Sequence, residues 1–195
     1  MSALNIQAKM DIAKKIKEYG YINIFWQVDD TLLNELWANG NNRDELQKIW
    51  QNKAMGLQVR LTAAEILFQK DSLFPGTDQK IKILLTRLYI NALNNNGTIN
   101  GNIWGLPGFN GPAGENLFKT DKNESVRLLK LLLKNKQELN YVGSKDATYG
   151  NEYRYRVKDV AAFYLSKLLN VKYKIFKDLE DREIEIHHLT TRIEQ

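Results

Sequence analysis

The chain has 195 residues, of which 43% are hydrophobic and 26% are charged, and an excess of basic residues gives it a net charge of +5. This length, together with four Trp, nine Tyr and seven Phe residues, excludes a disordered chain and supports a domain with a sizeable core. The absence of cysteine excludes disulfides, thiolate nucleophiles and cysteine-ligated zinc, and no apolar run reaches the roughly 18 residues that a membrane helix needs.

Hydrophobic residues recur at helical spacing along most of the chain, between glycines, prolines and asparagine clusters that break helices. Helices are predicted, in chain order, over residues 5–19, 32–37, 46–53, 59–67, 81–92, 126–133, 157–169 and 178–193. Gly20 is expected to end the first helix, and Asp29 or Asp30 to cap the second. The sixth helix is apolar nearly all round, which predicts burial on most sides. The last helix carries a seam at positions 179, 182, 186, 189 and 193.

Two short stretches, residues 22–28 and 171–175, alternate apolar and polar side chains as strands do. An isolated pair of strands is marginal without packing, so these stretches could equally be linkers. The predicted fold class is therefore all-α, with a minor β component left open.

Two of the predicted helices share the pattern Val-[Arg/Lys]-x-x-Ala-Ala-x-x-Leu, at residues 59–67 and 157–165. Paired small residues let a neighbouring helix approach closely, as stacked helix pairs require. The pattern resembles a HEAT-like α-solenoid over about residues 56–170, which implies a stack of antiparallel helix pairs. We therefore predict a single helical domain over residues 1–195. Its parts are N-terminal helices in 1–55, a HEAT-like core in 56–170 with a long Gly/Asn-rich loop at 94–124, and a C-terminal helix in 177–195.

Two segments depart from the helical pattern. Residues 94–124 hold half of the 12 glycines, and a loop of this length inside a domain is usually functional or a linker. Residues 141–159 crowd small polar residues, tyrosines and arginines together. The two segments resemble an uncharacterised group of bacterial proteins that pair a Gly-Asn-x-Trp-Gly-Leu-Pro-Gly loop with a Gly-Ser-x-x-Ala-Thr-x-Gly-Asn-x-Tyr-x-Tyr-Arg-Val-Lys-Asp-x-Ala-Ala segment, matched here at 101–108 and 143–162. The resemblance implies a shared fold and no particular chemistry.

The candidate binding residues all come from these two segments. They are Trp104, Tyr141, Ser144, Thr148, Asn151, Tyr153, Arg154, Tyr155 and Arg156. Tyr, Trp and Arg most often carry interface energy, so these side chains could line a groove for a partner. The alternative is that the tyrosines cap the core while the arginines bond loop carbonyls. Asp159, one helical turn past Arg156, is expected to orient Arg156 or Tyr155.

The sequence carries no catalytic signature. Ser144 lacks the Gly-x-Ser-x-Gly context of a nucleophile elbow and the glycines of a phosphate-binding loop. His187 and His188 are adjacent on a helix and diverge by about 100°, which predicts a solvated face rather than a metal site. Four acids at the start of that helix are explained by the helix dipole: Glu180, Asp181, Glu183 and Glu185. No catalytic residue, cofactor or metal ion is predicted.

These features favour a non-catalytic module that binds another protein. HEAT-like bacterial proteins of this size include immunity proteins that block secreted toxins, so by fold analogy an immunity or regulatory role is expected. The alternative is a nucleic-acid-binding protein or an enzyme of the HEAT-like DNA glycosylase type, because the chain is mildly basic and rich in tryptophan. A third hypothesis is an enzyme that acts on a small molecule and uses the glycine-rich loop as a lid. Residues 1–10 lack the apolar stretch of a secretory signal, so a cytoplasmic protein is expected, with a periplasmic or secreted one left open if a signal was removed.

Overall fold

The computed structural model describes residues 11–95, 101–143 and 145–194, and the side chains of residues 145 and 146 are outside that description. Helices dominate these ranges, and the all-α class is confirmed. The sheet seen in them is a hairpin of two-residue strands, β1 (Gly105–Leu106) and β2 (Phe109–Asn110). Within the described part of the chain, no helix has the length and apolar character that crossing a bilayer requires.

Contacts between Cα atoms divide the chain into two compact units, Met1–Gly76 and Thr77–Gln195. This boundary falls inside the predicted HEAT-like core of residues 56–170. The predicted single domain and the HEAT-like stacking both stay predictions.

The first unit contains four α-helices in its described residues. They are α1 (Ile12–Phe25), α2 (Thr31–Trp37), α3 (Arg43–Gln51) and α4 (Leu57–Lys70). Helix α1 runs past the expected stop, because Gly20 adopts a non-helical conformation (φ 72°, ψ 158°) that kinks the helix without ending it. The stretch at 22–28 is therefore helical as far as Phe25 and is not a strand. The beginning of the predicted first helix, residues 5–10, lies outside the described residues.

Helix α4 forms the centre of the first unit. Seven consecutive residues from Leu61 to Leu67 are buried, including the paired alanines Ala63 and Ala64. Helix α3 packs along it, and α1 and α2 contact it as well. The buried Glu65 carboxylate accepts a hydrogen bond from the Tyr21 hydroxyl of α1 at 3.1 Å, which satisfies a polar group inside this core.

The second unit contains six α-helices in its described residues. They are α5 (Gln79–Asn94), α6 (Pro112–Phe118), α7 (Lys122–Leu132), α8 (Lys145–Tyr153), α9 (Val157–Leu169) and α10 (Leu179–Glu194). Helix α9 is central, since every residue from Val157 to Ser166 is buried, including Ala161 and Ala162. Helices α7 and α10 both pack against α9, and α7 also packs against α5.

Two expectations for this unit were wrong. The predicted loop at 94–124 contains a 3-10 turn (Gly101–Trp104), the hairpin and helix α6, because Pro112 starts one helix and the Asp121 carboxylate caps the next. Helix α7 is amphipathic rather than buried on most sides, and the Leu131 side chain is 62% exposed. For the stretch at 171–175, where a linker and a strand were both left open, the structure shows no strand, and the described two-stranded sheet lies at residues 105–110.

Candidate functional site

The two irregular segments of the sequence contact each other in the second unit. The Gly101 amide donates to the Asn140 carbonyl at 2.8 Å, and the Val142 amide donates to the Asn102 side-chain oxygen at 2.9 Å. The Tyr141 hydroxyl donates to the Gly105 carbonyl at 3.1 Å. The loop around Trp104 and the segment that leads into α8 therefore form one structure.

Asn151 and Gly150 of α8 hold Tyr141 in place. The Asn151 amide group donates to the Tyr141 carbonyl at 3.0 Å and accepts from the Tyr141 amide at 3.4 Å. A Cβ added at Gly150 would overlap the Tyr141 ring, so glycine is required for this close approach. Tyr141 is almost fully buried, and its ring is part of the buried layer beneath α8.

Trp104 is equally buried and belongs to an aromatic cluster. Its ring meets Tyr89 and Tyr164 edge-on, with centroids 6.3 Å and 6.0 Å apart. The Tyr164 hydroxyl donates to the Trp104 carbonyl and accepts from the Gly111 amide at 3.3 Å. Burial raises the pKa of Tyr164 well above its ordinary value. Gly114 faces the same ring, and a Cβ there would overlap it.

A buried ionic network joins the start of α9 to α10. The Asp159 carboxylate accepts from the backbone amide of Arg156 at 2.8 Å and from its guanidinium at 2.8 Å and 3.0 Å. It also accepts from the Arg182 guanidinium of α10 at 2.7 Å, and both of these side chains are 1% exposed. The expectation that Asp159 orients Arg156 is confirmed. Arg182 fills the space above Tyr155, with its guanidinium carbon 5.0 Å from the ring centroid.

The network continues through Glu183 of α10. Its carboxylate accepts from Arg156 at 2.5 Å and from the Lys158 ammonium at 2.7 Å. Partial burial opposes ionisation of Glu183, but these two hydrogen bonds outweigh it, and the pKa of Glu183 lies below its ordinary value. Glu183 thus binds specific cations, in addition to any effect of the helix dipole.

The exposed side of α8 carries aromatic and cationic side chains, which we call the α8 surface: Tyr149, Tyr153, Arg154 and Lys177. The Tyr149 and Tyr153 rings lie 6.2 Å apart, and the Lys177 ammonium lies 4.8 Å from the Tyr153 centroid. Tyr149 is 51% exposed. Arg154 ends α8 in the left-handed conformation with φ 51°, which is unusual for a residue with a side chain.

The cations of the α8 surface each contact an acid. Arg154 Nε donates to Glu138 at 2.9 Å, and Lys177 donates to Glu152 at 2.5 Å. The hydrogen bond that Arg154 donates to Glu138 raises the pKa of Arg154, and the bond that Lys177 donates to Glu152 raises the pKa of Lys177. The surface is therefore of mixed charge.

The structure divides the predicted binding residues into two groups. Four of them are buried and stabilise the layer beneath α8: Trp104, Tyr141, Tyr155 and Arg156. Thr148, Asn151 and Arg154 are exposed along or just after α8, and Tyr153 is half-buried. Ser144 lies outside the described residues.

The sequence interpretation missed two members of the α8 surface. Tyr149 stands four residues before Tyr153, a spacing that places both on one face of a helix. Lys177 reaches the surface from the segment between α9 and α10, and no local pattern pointed to it. In the part of the chain described here, no group of three or more His, Asp or Glu side chains could hold a metal ion.

Comparison with known proteins adds no relative. No family model matches the sequence, and no curated protein or solved structure resembles it significantly. The resemblances to HEAT-like repeats and to the bacterial group stay predictions.

Proposed function

We propose that this chain is a non-catalytic protein-binding module, of an immunity or regulatory kind, that binds its partner through the α8 surface. The observation that carries the proposal is the exposure of Tyr149 on α8 and of Arg154 just after it, above an underside that is fixed by buried contacts. Tyrosine and arginine are the residues that most often anchor interfaces. A surface fixed in advance loses little conformational entropy on binding.

The charge of the α8 surface favours a protein over a nucleic acid. Glu138 and Glu152 accept the hydrogen bonds of Arg154 and Lys177, so a phosphate backbone would have to displace both carboxylates. A protein partner with charges of both signs can complement such a surface. A nucleic-acid partner, including a substrate of the glycosylase type, is the competing proposal.

Affinity purification from the native host tests the proposal. The expected result is one stoichiometric protein partner, whose retention falls at least about tenfold with Tyr149→Ala or Arg154→Ala, as for residues that anchor an interface. Lys122→Ala, an exposed change on α7, is the matched control and should retain the partner. All three variants should keep the parent's circular dichroism spectrum.

Two outcomes would contradict the proposal. One is a partner that both α8 variants retain as well as the parent does. The other is a shift of duplex DNA in a gel that persists at physiological salt and is lost with the α8 variants, which would support a nucleic-acid site. Tyr155→Ala is unsuitable as a test because that ring is 3% exposed and its loss would disturb the core.

A further inference from the structure

A groove of about 340 Å³ lies between α7 and α10, away from the α8 surface. Both helices pack against α9, and the space between them is open. Its apolar lining comes from Leu133, just after α7, and from Ile186 and Ile193 of α10. The two isoleucines stand seven residues apart on one face of α10. Ile186 is 5% exposed and forms the floor of the groove, and the half-buried Leu133 and Ile193 pack against the same cluster. Volumes of about 300–1,000 Å³ are typical of ligand pockets.

The α7 side of this groove is cationic. Lys130 and Lys134 line it four residues apart, and neither makes an ion pair with a described residue. The third lysine of the lining, Lys158, is bound to Glu183. Two acids of α10, Glu183 and Glu194, also belong to the lining. An occupant therefore meets two positive charges that make no ion pair with a described residue, one near the end of α7 and one just after it, beside the half-buried Leu133 and Ile193.

We infer that the groove binds an amphipathic helix of a protein partner, with aliphatic residues on one face and a row of Glu or Asp facing Lys130 and Lys134. The half-buried Leu133 and Ile193 offer an apolar contact beside a cationic edge, which is the combination that helix-in-groove recognition of an amphipathic segment uses. This inference rests on the proposed protein-binding function, and it names a second surface and the chemistry of the segment bound there.

The test uses synthetic peptides and the full chain. Fluorescence anisotropy at physiological salt compares a labelled helical peptide with leucines at 3–4 spacing and flanking glutamates, the same peptide with lysines in place of the glutamates, and a scrambled acidic peptide. The expected result is that the acidic amphipathic peptide binds at least about tenfold tighter than either of the others. Lys130→Glu with Lys134→Glu should reverse the preference between acidic and basic peptides.

Matched variants separate the groove from bulk charge and from the α8 surface. Lys53→Glu with Lys122→Glu changes the net charge equally but outside the groove, and should alter acidic-peptide binding less than about twofold. Tyr149→Ala should leave the peptide affinity unchanged. If the α8 variants retain the native partner and the peptides bind as expected, the α8 site is rejected and the groove is supported. If the α8 variants lose the native partner and the peptides do not bind as expected, only the groove is rejected.

Several outcomes overturn the inference. The first is equal binding of the acidic and scrambled peptides. The second is an affinity for the acidic peptide that is unchanged by the charge reversal at Lys130 and Lys134. The third is displacement of the peptide by dodecanoate, if dodecanoate binds more tightly than the peptide does. A concentration-dependent dimer in analytical ultracentrifugation that the groove variant abolishes would make a second copy of the chain the occupant.

Discussion

Replacing Asp159 by asparagine tests the buried ionic network at the base of the candidate site. The substitution keeps the size of the side chain and removes its negative charge. It leaves Arg182, whose side chain is 1% exposed, without a buried counter-charge, and removes one of the two acids that neutralise Arg156. Removing one partner of a buried ion pair typically costs about 3–5 kcal/mol, because the other charge stays desolvated.

We therefore expect Asp159→Asn to lower the free energy of unfolding by about 4 kcal/mol. For a chain of this size, that loss lowers the melting temperature by about 12 °C. It is a large share of the roughly 5–15 kcal/mol by which native proteins are stable. Urea unfolding followed by circular dichroism, fitted so that the two units can unfold separately, measures the change.

A double-mutant cycle attributes this cost to the pair. Arg182→Met removes the buried cation with little change in volume. The double variant should therefore lose about 2 kcal/mol less free energy of unfolding than the two single variants lose together. A cost below about 1 kcal/mol for Asp159→Asn, or additive losses in the cycle, would refute the reasoning, because the charges would then be solvated or independent.

Three further changes test other parts of the molecule. Gly114→Ala places a methyl group against the Tyr164 ring and should cost about 2 kcal/mol in urea unfolding. Gly56→Ala is the control, because its Cβ meets nothing within 4 Å. Gly56 precedes α4 as its N-cap, so this change should lower the free energy of unfolding by less than about 1 kcal/mol. Arg154→Gly should be about 1 kcal/mol more stable than Arg154→Ala, since glycine accepts a φ of 51° without strain; equal stabilities would contradict this. Hydrogen bonds from two arginines lower the pKa of Glu124 from 4.5 to about 2, so its stabilisation is present above pH 4.5 and is lost as the pH falls through 2. Glu124→Gln should therefore cost about 1 kcal/mol at pH 7, because those arginines are largely exposed, and progressively less towards pH 2; a difference independent of pH would contradict the assignment.

Local periodicity predicted the parts of the fold that depend on neighbours in sequence. The paired small residues of α4 and α9 predicted close packing, and both pairs are buried. The seam of α10 placed Arg182 inside, because a 3.6-residue period defines which face is buried. Burial of α7 was overestimated, since its apolar composition gave no information on how many neighbours surround it. Exposure of Leu131 depends on which helices pack there.

The candidate site was predicted in composition but not in arrangement. The crowding of tyrosines and arginines after residue 141 located the region. It could not separate Tyr155, which packs inside, from Arg154, which is exposed and itself adopts a left-handed backbone conformation. The second partner of Asp159 was not predictable from the sequence, because Arg182 is 23 positions away and reaches Asp159 only through the packing of two helices.

The contact between Gly114 and Tyr164 constrains how this protein can diverge. A Cβ at position 114 would occupy the space of the Tyr164 ring. A larger residue at position 114 therefore requires a smaller side chain at position 164. A relative with alanine or serine at 114 should carry a smaller residue at 164, and would then need another group to bond the Trp104 carbonyl and the Gly111 amide. Correlated replacement at these two positions would mark descendants that rebuilt the tryptophan loop, while an invariant pair would mark those that inherited it unchanged.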